Sequence, residues 1–278
     1  MYKLIIGASS VVIAIYAIFL INYQFNISNK QKLSINPTKI IIKKETIQIL
    51  SAFGFFDEIG SPLLTSKIVC IDPGHQAFAN LDKEPIRPGS YITKAKVTGG
   101  AVGVFSRVPE YKIVLEISQK LKVKLEQEGI KVILTRSTNN VDLSNIDRAK
   151  IANNLKADLF IRIHADSNLN KSANGYSILY PKRNQWTENI YEKSKRAAQI
   201  VSDELSTTGS KNNGIVPRGD LTGFNWSKVP SILIETGFLS NNDEDKLLNS
   251  DAYQQKITRG IIKGIIAYLN NEAAKSNE

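Results

Sequence analysis

Five short apolar runs, separated by stretches of helical or turn-rich character, constrain this chain more than any other feature. They cover residues 67–71, 131–134, 159–163, 176–180 and 231–234, and they carry the aliphatic and β-branched residues of buried strands. Between them, Ile113, Val114, Ile117, Leu121 and Leu125 recur at the three- and four-residue spacing of one buried helix face. Pro109 suits the first turn of that helix and Gly129 its end. Further helices are expected from a cap at Asp142 or Ser144 to about residue 155, and over residues 187–205, 243–248 and 252–270. Alternation of this kind predicts an α/β fold, a single domain with a twisted, mostly parallel central sheet flanked by helices. Residues 76–108 lack apolar periodicity and read as a long loop, a length that usually serves function.

The N-terminus reads differently. Leu4 to Ile21 is an uncharged run of 18 residues. As a helix it would span roughly 27 Å, close to the hydrocarbon thickness of a bilayer. The sequence around Phe19 to Phe25 offers no small-residue cleavage site, so an uncleaved single-span anchor over residues 1–22 is expected rather than a signal peptide. Lys3 on one side and Lys30 and Lys32 on the other leave its orientation open. Residues 23–65 read as a linker or small extension, 66–272 as the main folded domain and 273–278 as a tail. The net charge of +10 favours anionic surroundings such as phospholipid headgroups or acidic wall polymers. No nucleic-acid motif or aromatic-basic cluster is present, so no nucleic-acid partner is expected. The single cysteine, Cys70, excludes an internal disulfide and reads as a small core residue.

Only two histidines occur, and both follow strand-like runs. His75 comes after residues 67–71 and the turn Asp72-Pro73-Gly74, and His164 ends the run that begins at Leu159. Ligands of open α/β sheets bind at the carboxyl ends of strands, so the two imidazoles point to one shared site. A catalytic zinc takes nitrogen, oxygen or sulfur ligands, and with two histidines and a buried cysteine the third must be a carboxylate. Glu110, in the first turn of a helix after a loop, is the candidate, although the same position suits a carboxylate that only complements the helix dipole. Glu235 ends another apolar strand on the same rim, where a carboxylate has to pair, bind metal or act as an acid–base group. Asp72 and Asp166 flank the histidines as turn residues or as partners that orient the imidazoles.

These residues stand in motifs that carry a resemblance. Residues 68–75, Ile-Val-Cys-Ile-Asp-Pro-Gly-His, resemble the opening motif of the zinc-dependent N-acetylmuramoyl-L-alanine amidases of the amidase-3 type. Residues 107–112, 161–166 and 229–241 resemble the second, third and last motifs of that family, in family order. The resemblance spans about residues 66–270. It implies that one zinc ion is held by His75, Glu110 and His164, with Glu235 as the catalytic carboxylate. It implies hydrolysis of the amide between the lactyl group of N-acetylmuramic acid and L-alanine of the peptidoglycan stem peptide. Family members act in wall remodelling, cell separation or sporulation, outside the cytoplasmic membrane. Arg162 departs from the pattern, because many members carry a small polar residue there, and strand alternation is expected to turn it away from the metal. Residues 220–226 resemble a loop of Gram-positive members, which makes Arg218 and Trp226 candidate substrate contacts or structural residues. The alternative is a catalytically silent peptidoglycan-binding regulator on the same fold. Such a protein would be expected to have lost a ligand or the carboxylate, and none is missing.

Overall fold

Residues 64–275 are described by the computed structural model, so the expected anchor at 1–22 and nearly all of the 23–65 segment lie outside the described residues. Among the described residues no helix is long and apolar enough to cross a membrane. The chain runs β1 (Ile68–Pro73), β2 (Asn80–Pro85), β3 (Thr93–Val97), α1 (Glu110–Gln127), β4 (Lys131–Leu134), α2 (Asn145–Asn154) and β5 (Leu159–Asp166). It continues through β6 (Tyr176–Pro181), α3 (Glu188–Ser206), β7 (Asn212–Arg218), the short α4 (Thr222–Asn225) and β8 (Ser231–Phe238). Helices α5 (Asn242–Leu248) and α6 (Asp251–Lys275) complete it. Six strands form one sheet in the order β4-β1-β5-β8-β6-β7, and every neighbouring pair is parallel except β6 with β8. The expected α/β domain with a mostly parallel sheet is therefore present.

Strand alternation divides the sheet into two unequal faces. On β5, Leu159, Ile161 and Ile163 join Ile232 and Ile234 of β8 in the main core, under Ile117 and Leu121 of α1, Val201 of α3 and Ile261 of α6. Each fully buried side chain of this size contributes about 1.5–3 kcal/mol relative to exposure. The opposite face starts apolar, with Cys70 and Phe160 packed on Ala149 and Ala152 of α2. Towards the carboxyl ends of the same strands that face turns polar, through Arg162 and His164 on β5 and Glu235 on β8. The sheet thus places its functional side chains on the thinly covered face.

Several expectations need correction. The expected long loop at 76–108 contains the antiparallel hairpin β2–β3, whose charged, solvent-facing strands lack the apolar alternation that marks a half-buried strand. The hairpin is clamped to the domain: Asn145 Nδ2 donates to Lys96 O at 2.7 Å and Trp226 Nε1 to Pro85 O at 2.9 Å. Strand β7 was not foreseen, since Gly214 and Pro217 weaken its strand signal; it lies at the sheet edge, where proline is tolerated. Strand β8 continues to Phe238, so Glu235 stands inside a strand. Helix α6, expected over residues 252–270, runs to Lys275 and buries Ala273. Ser144, not Asp142, caps α2, in a reciprocal capping box with Asp147.

Candidate active site

The turn after β1, the start of α1 and the end of β5 bring His75, Glu110 and His164 together, with one ligand atom from each lying within 4.8 Å of the others. Glu110 is the first residue of α1 and is buried. Its Oε2 accepts from Ala101 N–H at 2.8 Å and its Oε1 from Ala165 N–H at 3.0 Å, which fixes the carboxylate between the two imidazoles. His75 Nε2 lies 3.4 Å from Oε2 and His164 Nδ1 lies 3.1 Å from Oε1. Burial opposes ionisation of Glu110, but the His164 hydrogen bond and the adjacent imidazoles outweigh it and hold the carboxyl below its ordinary value. Burial, against the pull of Glu110, pushes His164 down to about 4, so its imidazole is neutral at pH 7 as a metal ligand must be.

The residues fit a metal ion. Two neutral-capable imidazoles and a carboxylate form the donor set of a three-ligand catalytic site. His164 Nε2 is buried and has no hydrogen-bond partner. His75 Nδ1 lies 2.8 Å from Thr98 O, which orients that ring and leaves Nε2 toward Glu110. His75 has a left-handed backbone with φ of 55°, a conformation that costs energy for a residue with a side chain and is retained where the surroundings impose it.

Two buried arginines do the imposing, and sequence reasoning missed both. Arg136 donates to Pro73 O at 2.9 Å, to Gly74 O at 2.8 Å and to Tyr111 O at 2.8 Å, joining the His75 turn to the first turn of α1. Arg148 of α2 donates to Pro73 O at 2.9 Å and to His75 O at 3.0 Å. Neither carries a local signal, because a guanidinium that will be buried by distant backbone carbonyls looks in sequence like any surface arginine. Gly74 packs directly beneath His164, and a Cβ there would stand 2.4 Å from the imidazole. Gly74→Ala is expected to lower metal affinity about 10–100-fold by displacing that ring. Competition against a chromophoric chelator reads this, and unchanged affinity would show that the ring does not depend on the close approach.

The β5/β8 register sets Glu235 beside His164. Its Oε2 is buried without a partner. Burial raises its carboxyl well above the ordinary value, the charges of Glu110 and Asp166 raise it further, and Arg162 and Arg218 pull the other way. Glu235, His75 and His164 line a cavity of about 500 Å³ together with Arg162, Arg218 and Lys94. Arg218 is held bidentate by Asp220, at 2.7 and 2.6 Å, and keeps its place as a cavity-lining candidate.

Four expectations are decided here. Asp72 does not bond an imidazole: it accepts from Thr135, from Arg148 at 2.7 Å and from Arg162 at 2.8 Å, and it is fully buried. Asp166 accepts from the Ser167 N–H and acts on Glu235 only through its charge. Trp226 packs against the α2-side core with its indole on Pro85, away from the cavity lining, so its position is structural. Arg162 lies on the same face of β5 as His164, because residues two apart share a strand face, and it lines the cavity instead of turning away.

The profile described as N-acetylmuramoyl-L-alanine amidase, of the amidase-3 type, matches residues 69–267. An N-acetylmuramoyl-L-alanine amidase of Mycobacterium tuberculosis is 28% identical over 217 residues, covering 74% of this chain and 88% of that protein. The crystal structure of the amidase Ami1 from Mycobacterium smegmatis superposes with a TM-score of 0.68 at 25% identity, covering 75% of this chain and 99% of that one. An amidase structure from Clostridium difficile 630 gives 0.61 at 29% identity, over 74% and 98% of the two chains.

Proposed function

The chain belongs to the N-acetylmuramoyl-L-alanine amidase family, and we propose that it hydrolyses the amide joining the lactyl group of N-acetylmuramic acid to L-alanine of the stem peptide. His75, Glu110 and His164 would hold one zinc ion. When bound, zinc supplies Lewis-acid polarisation of the scissile carbonyl and lowers the pKa of water to about 7. Glu235 takes the proton of the attacking water on its unpartnered carboxylate and returns it to the amine nitrogen as the C–N bond breaks. Its elevated carboxyl suits both halves of that transfer, since a group poised nearer neutrality accepts and gives up a proton with comparable ease. Arg136 and Arg148 hold the His75 turn, and Thr98 orients the ring.

The observation that carries this reading is the convergence of His75, Glu110 and His164 with Glu235 directly across the β5/β8 register. The uncharged run from Leu4 to Ile21 is proposed as a membrane tether that keeps the catalytic domain on the wall side of the cytoplasmic membrane, where wall remodelling, cell separation or sporulation would use it. The test is mass spectrometry of muropeptides incubated with the zinc-loaded full chain, with and without a chelator. Release of peptides beginning with L-alanine, abolished by chelation and restored by zinc, is expected. An unchanged muropeptide profile in the zinc-loaded protein would sink the reading.

A further inference from the structure

Beneath the catalytic cavity two guanidinium groups share one carboxylate. Arg148 Nη1 lies 2.7 Å from Asp72 Oδ1 and Arg162 Nε lies 2.8 Å from Asp72 Oδ2, with all three side chains buried. One positive charge is left uncompensated. Arg148 directs its other N–H groups to Leu143 O, Pro73 O, His75 O and Gln76 Oε1. Arg162 is different. Its Nη2 donates to Asn145 Oδ1 at 2.7 Å, while its Nη1 makes no hydrogen bond with any described residue. Gly223 sits against that free end, where a Cβ would stand 2.5 Å from Nη1.

Register places the surplus charge next to the chemistry. Arg162 and His164 stand two residues apart on one face of β5, about 7 Å along the strand. Arg162 lines the same cavity as His164 and Glu235, and its field reaches both. Arg218, the other guanidinium in the cavity, has a carboxylate of its own in Asp220, whereas Arg162 shares Asp72 with Arg148. A buried guanidinium with a free N–H edge in a substrate cavity selects a carboxylate. In a stem peptide, two residues of extended chain, also about 7 Å, separate the scissile carbonyl from the α-carboxyl of the second residue. That carboxyl exists either free or as its amide.

We propose that Arg162 is a specificity-determining residue that binds the free α-carboxylate of the second stem residue, so that the enzyme prefers unamidated stem peptides. The proposal rests on the amidase reading above. Asp72 and Asn145 hold Nε and Nη2, which leaves Nη1 as the uncommitted donor, and the glycine at 223 leaves room for the head group.

The experiment compares kcat/KM of the zinc-loaded full chain on a matched pair of muropeptides, one ending its dipeptide stem in D-isoglutamate and the other in D-isoglutamine. The acid is expected to be preferred about 10- to 100-fold, the worth of one hydrogen bond to a charged group. Arg162→Gln should bring the acid-to-amide ratio close to one, mainly through a higher KM for the acid. Arg162→Lys, which keeps the charge without the fork, should retain part of the preference. If Arg162→Gln fails to fold, Gly223→Ala displaces the guanidinium without removing it and should lower the same ratio. Equal rates on the two substrates with the wild-type chain, or an unchanged ratio in a folded Arg162→Gln, would overturn the proposal and leave the amidase reading standing. Cleavage of neither substrate would overturn both.

Discussion

Glu235→Gln should keep its zinc and lose turnover by about 10²–10⁴-fold, the range attributed to a positioned acid–base group. The substitution preserves shape and a hydrogen-bonding oxygen but cannot take a proton. It should also stabilise the metal-free domain at neutral pH. The native carboxyl of Glu235 is raised by burial and then by the charges of Glu110 and Asp166, so the folded state holds this proton more tightly than the unfolded chain does. Stability contributed by such a group is complete below the unfolded value of about 4.3 and is lost as the pH rises through the native value. The variant should therefore melt higher than wild type at pH 7, with the difference closing below about pH 4.3. Zinc analysis, turnover and melting curves read the three parts separately. Near-normal turnover with zinc retained would refute the acid–base role, and a lower melting point would show that the carboxylate is a stabilising partner instead.

Asp72→Asn should destabilise the domain by about 3–5 kcal/mol, the cost of leaving buried charge without its partner. Asp72 is the counter-ion of both Arg148 and Arg162, and Arg148 also holds the His75 carbonyl, so metal affinity should fall with stability. Burial raises the Asp72 carboxyl, but the two guanidinium groups and the Thr135 hydroxyl outweigh it and hold it well below the carboxylate range. For a depressed acid, stability is fully present above the unfolded value of about 3.9 and is lost as the pH falls through the native value. Wild type should thus resist acid down to that range, while the variant loses this component of its acid dependence. Denaturant titration at pH 7 and pH 3 measures both. A loss under about 1 kcal/mol at pH 7 would mean that the arginines find other partners or that water reaches them.

The amidase-type motifs made the four principal residues legible because each is announced by local chemistry. His75 and His164 follow apolar runs, Glu110 opens an amphipathic helix, and Glu235 interrupts an otherwise aliphatic strand. Supporting residues had no such announcement. Asp72 looked like a partner for the adjacent histidine, yet pairing β1 with β5 puts it beside Arg162. Trp226 suited a substrate contact and a structural role alike, and it is committed to Pro85 of a hairpin that apolar periodicity does not reveal. Arg162 was expected to turn away, although its two-residue separation from His164 already places both on one face.

What the sequence determined alone is the period of its apolar strands and amphipathic helices, and with it the α/β class and the rim where His75, Glu110, His164 and Glu235 gather. These follow from side-chain alternation and apolar spacing, which act over a few residues. The tertiary structure decided the rest: which strands are neighbours, that β6 and β7 run against the other four, and which carbonyls, carboxylates and guanidinium groups meet. Those pairings join residues 60 to 90 positions apart, as Asp72 does with Thr135, Arg148 and Arg162. No local pattern encodes them, because the free energy of a buried charge depends on partners that arrive only when the sheet closes.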